Sequence, residues 1–170
     1  MNVTPTIIVL VVVTTAFTAF LAHRAMAVFH DGVRPILKEF IDGRLTRPAM
    51  ATIAFGLSVG FIFGYGVPLA LSTGIMNPWL LFLPTDILGL FAPTWWAAIL
   101  LGGAWGAAVV YGLQAMLNAA SALPVDFLTA LQAFSDPVIF LFSLFPVLAI
   151  TLQFGRAKGL TALGVVALVR

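Results

Sequence analysis

Four stretches of this chain are long, apolar and almost free of charged side chains, and they limit what it can fold into. They cover residues 6–22, 49–71, 94–117 and 136–154, and their only charged residue is Asp136. As α-helices they would measure roughly 25 to 36 Å, close to the thickness of a bilayer's hydrocarbon core. A single segment in lipid can satisfy its backbone hydrogen bonds only as a helix. We therefore predict an all-α integral membrane protein, a polytopic helical bundle.

Composition supports this class and excludes others. Hydrophobic residues make up 62% of the chain and charged residues only 8%, whereas about a quarter of the residues in a soluble domain are charged. The chain has no cysteine, which excludes a disulfide framework and cysteine-based metal or redox chemistry. A net charge of +2 is too small to indicate nucleic-acid binding. No cofactor and no metal are predicted.

The segment between the first two predicted spans, residues 23–48, determines the predicted orientation. It contains five of the eight basic residues, which are Arg24, Arg34, Lys38, Arg44 and Arg47. Loops rich in Lys and Arg stay in the cytoplasm, so we place this segment inside and the N-terminus outside. Apolar residues recur at helical spacing from Val33 to Ile41, which predicts a short amphipathic helix on the membrane surface.

Two similar motifs interrupt the apolar sequence, each a proline followed two positions later by an aspartate. They are Pro84 with Asp86, in the segment 77–92, and Pro124 with Asp126, in the segment 118–134. Proline breaks a helix because it lacks the N–H and clashes with the preceding turn. Each broken segment and the helix that follows it form one unit. If each broken segment returns to the membrane face from which it entered, the two units are inverted relative to one another. If each crosses the membrane, the two units are parallel. Their short length favours re-entry.

The same motifs carry the candidate binding site. A carboxylate at membrane depth costs about 2.5 kcal/mol or more, so it normally faces a cavity, a partner charge or a pathway. Transporters place such carboxylates beside broken helices near the bilayer midplane. The predicted substrate- or ion-binding residues are Pro84, Thr85, Asp86, Ser121, Pro124 and Asp126. The alternative is that each Asp caps the helix after its proline, a contribution of about 1 kcal/mol.

Two histidines in the basic segment are candidates for a different role. His23 and His30 are seven residues apart, about 10.5 Å along a helix, whereas the ligands of one zinc lie within about 2.3 Å of it. We therefore predict no metal site. His23, His30 and Asp31 are assigned to gating or proton relay near the cytoplasmic mouth. The alternative is a purely interfacial cluster that leads into the surface helix.

Glycines recur in two of the predicted spans and mark candidate packing faces. Gly56, Gly60 and Gly64 lie four residues apart, and Gly102 and Gly106 repeat this spacing. Small residues at this interval let another helix approach closely. Residues 159–170 begin a further helix, but their apolar part would measure only about 15 Å, half the hydrocarbon thickness. We therefore predict that the 170 residues form one transmembrane domain of a larger protein.

Several motifs together resemble one family. They are Leu21–Arg24, Ala27–Ile36, Ile53–Ser58, Leu80–Gly89 and Ala122–Asp126. In these motifs the chain resembles the YhfT family of bacterial inner-membrane proteins, as the N-terminal part of a longer protein. The resemblance implies a multi-pass protein of the inner membrane and the transporter class. It implies no substrate and no catalytic residue.

Function is predicted from these features together. No nucleophile elbow, zinc-protease helix, phosphate loop or dinucleotide fingerprint occurs, so an enzyme is not predicted. We predict a secondary transporter of a small polar solute, coupled to a proton or sodium gradient. Its other partners would be the lipid bilayer, the remaining part of the protein or a second membrane chain, and a further copy in a homo-oligomer. The alternative is a non-transporting scaffold or subunit of a membrane complex.

Overall fold

The computed structural model describes residues 3–169, and the side chains of all of these except residues 134–136, 138–139 and 142–143. Every regular element in this range is helical. The α-helices are α1 (Pro5–His23), α2 (Arg34–Ile41), α3 (Arg47–Phe61), α4 (Val67–Thr73), α5 (Pro78–Phe91), α6 (Trp95–Ser121), α7 (Phe127–Phe154) and α8 (Arg156–Val169). A 3-10 turn, Asp31–Val33, leads into α2, and a π-helical turn, Ile62–Gly66, joins α3 to α4.

Three helices among the described residues are long and apolar enough to cross a membrane. They are α1, the continuous helix Arg47–Thr73 and α6. They coincide with three of the four predicted spans, which confirms the all-helical class and the membrane-like composition of these segments. The helix α5 is apolar but has only 14 residues.

The first Pro-x-Asp segment is not broken, contrary to the prediction. The helix α5 runs without interruption through Pro84. Pro84 has no N–H to offer the carbonyl of Leu80, one turn earlier. The indole Nε1 of Trp105 in α6 donates to that carbonyl at 3.1 Å instead. Because a neighbouring helix supplies the missing donor, the helix continues.

The second motif also differs from the predicted segment. The helix α6 continues to Ser121 and α7 begins at Phe127, so Pro124 and Asp126 lie in a short link between two helices. The predicted boundary between residues 134 and 136 falls inside α7, which contains Pro137 and Pro146. The two motifs therefore have different local structures despite their similar sequences.

Helix α1 packs against both α5 and α6, and small residues allow the close approach. Its buried positions are Val11, Thr15, Ala19 and Ala22, one stripe of the helix. Glycines of the two partner helices lie directly against this stripe: a methyl group on Gly89 would collide with the carbonyl oxygen of Ala19, and one on Gly102 with that of Thr15. Close backbone contact of this kind is how helices gain dispersion energy in lipid.

The chain forms two compact units, residues 1–128 and 129–170. The second contains most of α7 together with α8. Gly155, with a φ of 88°, ends α7 in the left-handed conformation that favours glycine. Gly159 then lies against Thr151 across the turn. All of the sites described below belong to the first unit.

Candidate solute-binding cavity

Asp86 is a buried carboxylate in the middle of the first unit, with a relative exposure of 1%. Its Oδ2 accepts hydrogen bonds from the backbone N–H groups of Phe29, at 2.8 Å, and His30, at 2.9 Å. Its Oδ1 lies 3.1 Å from the same Phe29 nitrogen. Hydrogen bonds from backbone N–H groups to a carboxylate are charge-assisted and stronger than neutral ones. They offset part of the cost of burying the group.

The donors belong to the segment that follows α1, which folds back against α5. Next to Asp86, the hydroxyl of Thr85 lies 3.0 Å from that of Thr18. Thr18 precedes His23, the last residue of α1, by about one and a half turns, roughly 7 Å. Phe29 and His30 therefore reach Asp86 below the end of α1. The short helix predicted from Val33 to Ile41 is present as α2 (Arg34–Ile41), and the chain just before it bonds to Asp86 through two backbone N–H groups.

Three polar atoms of His30, its backbone N and O and its ring Nδ1, make hydrogen bonds. Its N–H bonds to Asp86, its carbonyl accepts from Val33 N at 2.9 Å, and its Nδ1 accepts from Gly32 N at 2.9 Å. The imidazole ring packs edge-on against Phe61 of α3, with 5.7 Å between the ring centroids. Since Nδ1 is an acceptor here, Nε2 carries the ring proton of the neutral form.

A partly open cavity of about 400 Å³ lies beside this segment. Its lining residues come from the segment itself, from α2, from α3 and from α5, and they are Phe29, His30, Asp31, Arg34, Phe61, Trp79 and Leu83. We call it the His30 cavity. Aromatic surface and three polar side chains share one space, which is the usual composition of a small-molecule site. Asp86 lies behind the wall and does not line it.

The charges around the His30 cavity are mostly paired with one another. Arg34 and Asp31 form an exposed ion pair of 3.2 Å at its edge. Further along, Lys38 pairs with Asp42 at 2.8 Å, and Arg44 bonds to Glu39 at 2.6 Å. The side-chain hydrogen bond from Arg44 lowers the pKa of Glu39. Of these charged residues, only Arg34 and Asp31 line the His30 cavity.

His23 lies apart from His30, and the two histidines share no contact among the described interactions. The Nδ1 of His23 is 3.2 Å from the carbonyl oxygen of Gly89 and 3.3 Å from Nη1 of Arg47. It serves one of these contacts at a time, as donor to Gly89 or as acceptor from Arg47. Nη2 of Arg47 also donates to the His23 carbonyl at 3.0 Å. This cluster joins the end of α1 to the start of α3. Among the described residues, no group of three His, Asp or Glu side chains could hold a metal ion.

The second Pro-x-Asp motif lies far from Asp86. Gly89 of α5 and Gly102 of α6 both face Ala19, and α6 continues beyond Gly102 for roughly 28 Å before the link begins. Asp126 is exposed in that link, with Pro124, and Ser121 donates to its own helix at Asn118 O, 2.9 Å. Along the bundle, Asp86 and Asp126 are thus separated by about 25 Å. The predicted site that combines both motifs does not form within this unit.

The two glycine rows also have different surroundings. Gly102 and Gly106 lie against α1, where a methyl group on Gly106 would reach 3.1 Å from the carbonyl oxygen of Val11. At Gly56, Gly60 and Gly64 an added methyl group would meet no described atom within 4 Å. The first row of the sequence therefore faces away from the described part of the chain.

Comparison with known proteins places the chain in a family. The family model YhfT, described as a protein of unknown function, matches residues 7–170. The chain belongs to the YhfT family. This confirms the resemblance found in the sequence motifs. The uncharacterised protein YhfT of Escherichia coli (strain K12) is 47% identical over 163 residues, which are 96% of this chain and 38% of that relative. No solved structure matches.

The chain spans 38% of the length of the YhfT relative it matches.

Sequence reasoning assigned His30 and Asp31 to a functional role but missed Phe29, Arg34, Phe61 and Trp79 as cavity residues. In the sequence, Trp79 near a helix start is typical of an anchor at the membrane interface. Phe61 cannot be distinguished there from any other aromatic residue of a membrane span. Only the fold brings them to one cavity.

Proposed function

We propose that this chain is part of a secondary transporter in the bacterial inner membrane, and that the His30 cavity binds its small polar solute. A proton or sodium gradient would drive the transport, with residues 23–48 towards the cytoplasm and the N-terminus outside. The observation that carries the proposal is the cavity itself. Polar and charged side chains gather there beside helices that have the composition of membrane spans.

The chemistry of the lining favours a solute with both donor and acceptor groups. Arg34 offers guanidinium N–H donors, and the carboxylate of Asp31 accepts. Phe61 and Trp79 add aromatic surface to the lining. A polar solute that bonds to Arg34 and Asp31 would replace part of their mutual ion pair, which is exposed and therefore weak.

A single charge substitution tests this proposal. The complete protein in proteoliposomes is incubated with a defined mixture of amino acids, sugars, nucleosides and carboxylic acids, under an imposed proton or sodium gradient, and the accumulated solutes are identified by mass spectrometry. Arg34→Ala should reduce accumulation at least tenfold, an effect of about 1.4 kcal/mol. Lys38→Ala is the matched control, because Lys38 is an exposed basic residue of the same helix outside the cavity. Equal accumulation by both variants, or none above empty liposomes by the unsubstituted protein, would refute the proposal.

The second candidate function is a non-transporting scaffold, and one observation favours it. The row Gly56, Gly60 and Gly64 faces outward, beside the exposed side chains of Phe55 and Phe63. Such a face suits close packing by another helix. The scaffold proposal expects Gly60→Leu to disrupt assembly of the complete protein, measured by crosslinking, while no solute is accumulated in the proteoliposome assay.

A further inference from the structure

The α1–α2 loop, residues 24–30, carries part of the cavity wall, and its one buried apolar side chain, Val28, packs in a cluster with Val33 and Met50. Met26 N bonds to Leu21 O at 3.0 Å, which completes the end of α1. Ala25 has a φ of 55°, a left-handed conformation that is unfavourable for a residue with a Cβ. The loop therefore leaves α1 through a strained residue, and contacts further along stabilise it: the burial of Val28 and the hydrogen bonds of Phe29 and His30.

Asp86 supplies the polar part of this attachment. Its carboxylate binds two successive N–H groups of the loop, across 56 and 57 residues of sequence. The ring of Phe29 packs on Phe82, with 5.5 Å between the centroids, on the same face of α5. Once His30 is held, its own bonds to Gly32 N and Val33 N determine where α2 begins. The positions of Asp31 and Arg34 follow from this.

We infer that Asp86 is the positioning residue of the His30 cavity: its carboxylate fastens the α1–α2 loop to α5 and so assembles the wall, without touching the solute. The inference rests on the proposed function only where it calls the cavity a solute site. The role differs from a coupling-ion site, because the described contacts of the carboxylate are with backbone donors and Asp86 lies outside the cavity lining.

Cysteine labelling tests the attachment directly, since the 170 residues contain no cysteine. Val28→Cys places a thiol in the loop at a position that is 7% exposed, and Val110→Cys places one at 0% exposure in α6. In the complete protein, without other cysteines, both should react slowly with N-ethylmaleimide. Adding Asp86→Ala should raise the labelling rate at residue 28 on the order of tenfold, because two partly buried N–H groups lose their acceptor and the loop opens locally. The rate at residue 110 should not change.

Asp86→Asn separates positioning from charge. Its amide oxygen can occupy the place of Oδ2 and accept from both N–H groups, so labelling at residue 28 and solute accumulation should stay within about threefold of the unsubstituted protein. Should Asp86→Ala not reach the membrane, Asp86→Ser replaces it, because its hydroxyl is too short to bridge to the loop.

Three results would overturn the inference. They are unchanged labelling at residue 28 when the carboxylate is removed, equal acceleration at residues 28 and 110, and an Asp86→Asn variant that labels normally but no longer accumulates solute. The labelling result stands whether or not transport is found. The labelling rates therefore test the attachment of the loop, and the accumulation assay tests the transporter proposal separately.

Discussion

Substituting Gly102 by alanine tests the packing of α1 on which the first unit depends. An alanine methyl carbon at this position would lie 2.6 Å from Cβ of Ala19 and 3.0 Å from Cα of Ala16, and would collide with the carbonyl oxygen of Thr15. Carbon atoms in contact are normally about 3.5 to 4.0 Å apart. Backbone atoms of α1 cannot rotate away as a side chain can. The two helices must therefore separate by roughly 1 Å.

The free-energy cost of this collision can be isolated by comparison with the same substitution at the next residue, Gly103. Overpacking of this kind costs about 1 to 3 kcal/mol, while replacing a helical glycine by alanine gains up to about 1 kcal/mol from reduced backbone freedom. Gly103→Ala carries the same gain, but its methyl group would make an ordinary contact of 3.5 Å with Cγ1 of Val12. The difference between the two variants therefore measures the collision alone. We expect Gly102→Ala to be less stable than Gly103→Ala by about 1 to 3 kcal/mol.

Thermal unfolding of the purified complete protein in detergent, followed by circular dichroism, measures this difference. A change of 1 kcal/mol shifts the Tm of a domain of this size by about 2 to 4 °C, so Gly102→Ala should melt roughly 2 to 12 °C below Gly103→Ala. Gly112→Ala serves as a second control, because no described atom lies within 4 Å of its added methyl group. Equal Tm values for the variants at 102 and 103 would refute the close approach of α1 and α6.

Two further predictions concern α5 and are also measured as changes in Tm. Trp105→Phe leaves the carbonyl of Leu80 without a donor and should cost about 1 to 3 kcal/mol. It should cost less in a Pro84→Ala background, where alanine supplies the missing N–H; equal costs in both backgrounds would contradict this account. Asn77→Ala removes the helix cap at Leu80 N, 3.0 Å, and the bond to Gly66 O, 2.7 Å, and should cost about 1 to 2 kcal/mol. Asn77→Ser keeps an acceptor for the cap without placing an oxygen against the Gly66 carbonyl, so its Tm should lie between those of Asn77→Ala and the unsubstituted protein. A Tm equal to that of Asn77→Ala would show that the cap contributes nothing.

The two Pro-x-Asp motifs show where prediction from a local sequence pattern fails. Both predict a break and a functional carboxylate. At Pro84 the break is absent because Trp105, twenty-one residues later, supplies a donor that only the packing of α6 on α5 brings into reach. At Pro124 the chain does leave the helix, and Asp126 lies in an exposed link. The motifs are alike in sequence, and their neighbours in space make them different.

Helical class and apolar spans were predictable because they depend on properties of each segment alone, its length and the near absence of charge. An apolar segment of that length forms the same helix whichever neighbour it meets. The identity of the family was also readable from short motifs. What only the tertiary structure decided is the partner of each polar group. Asp86 reaches the N–H groups of Phe29 and His30 across more than fifty residues, and four separate elements contribute the walls of one cavity. Such contacts depend on how the helices pack. That packing is determined by many small side chains together, so no single residue in the sequence predicts it.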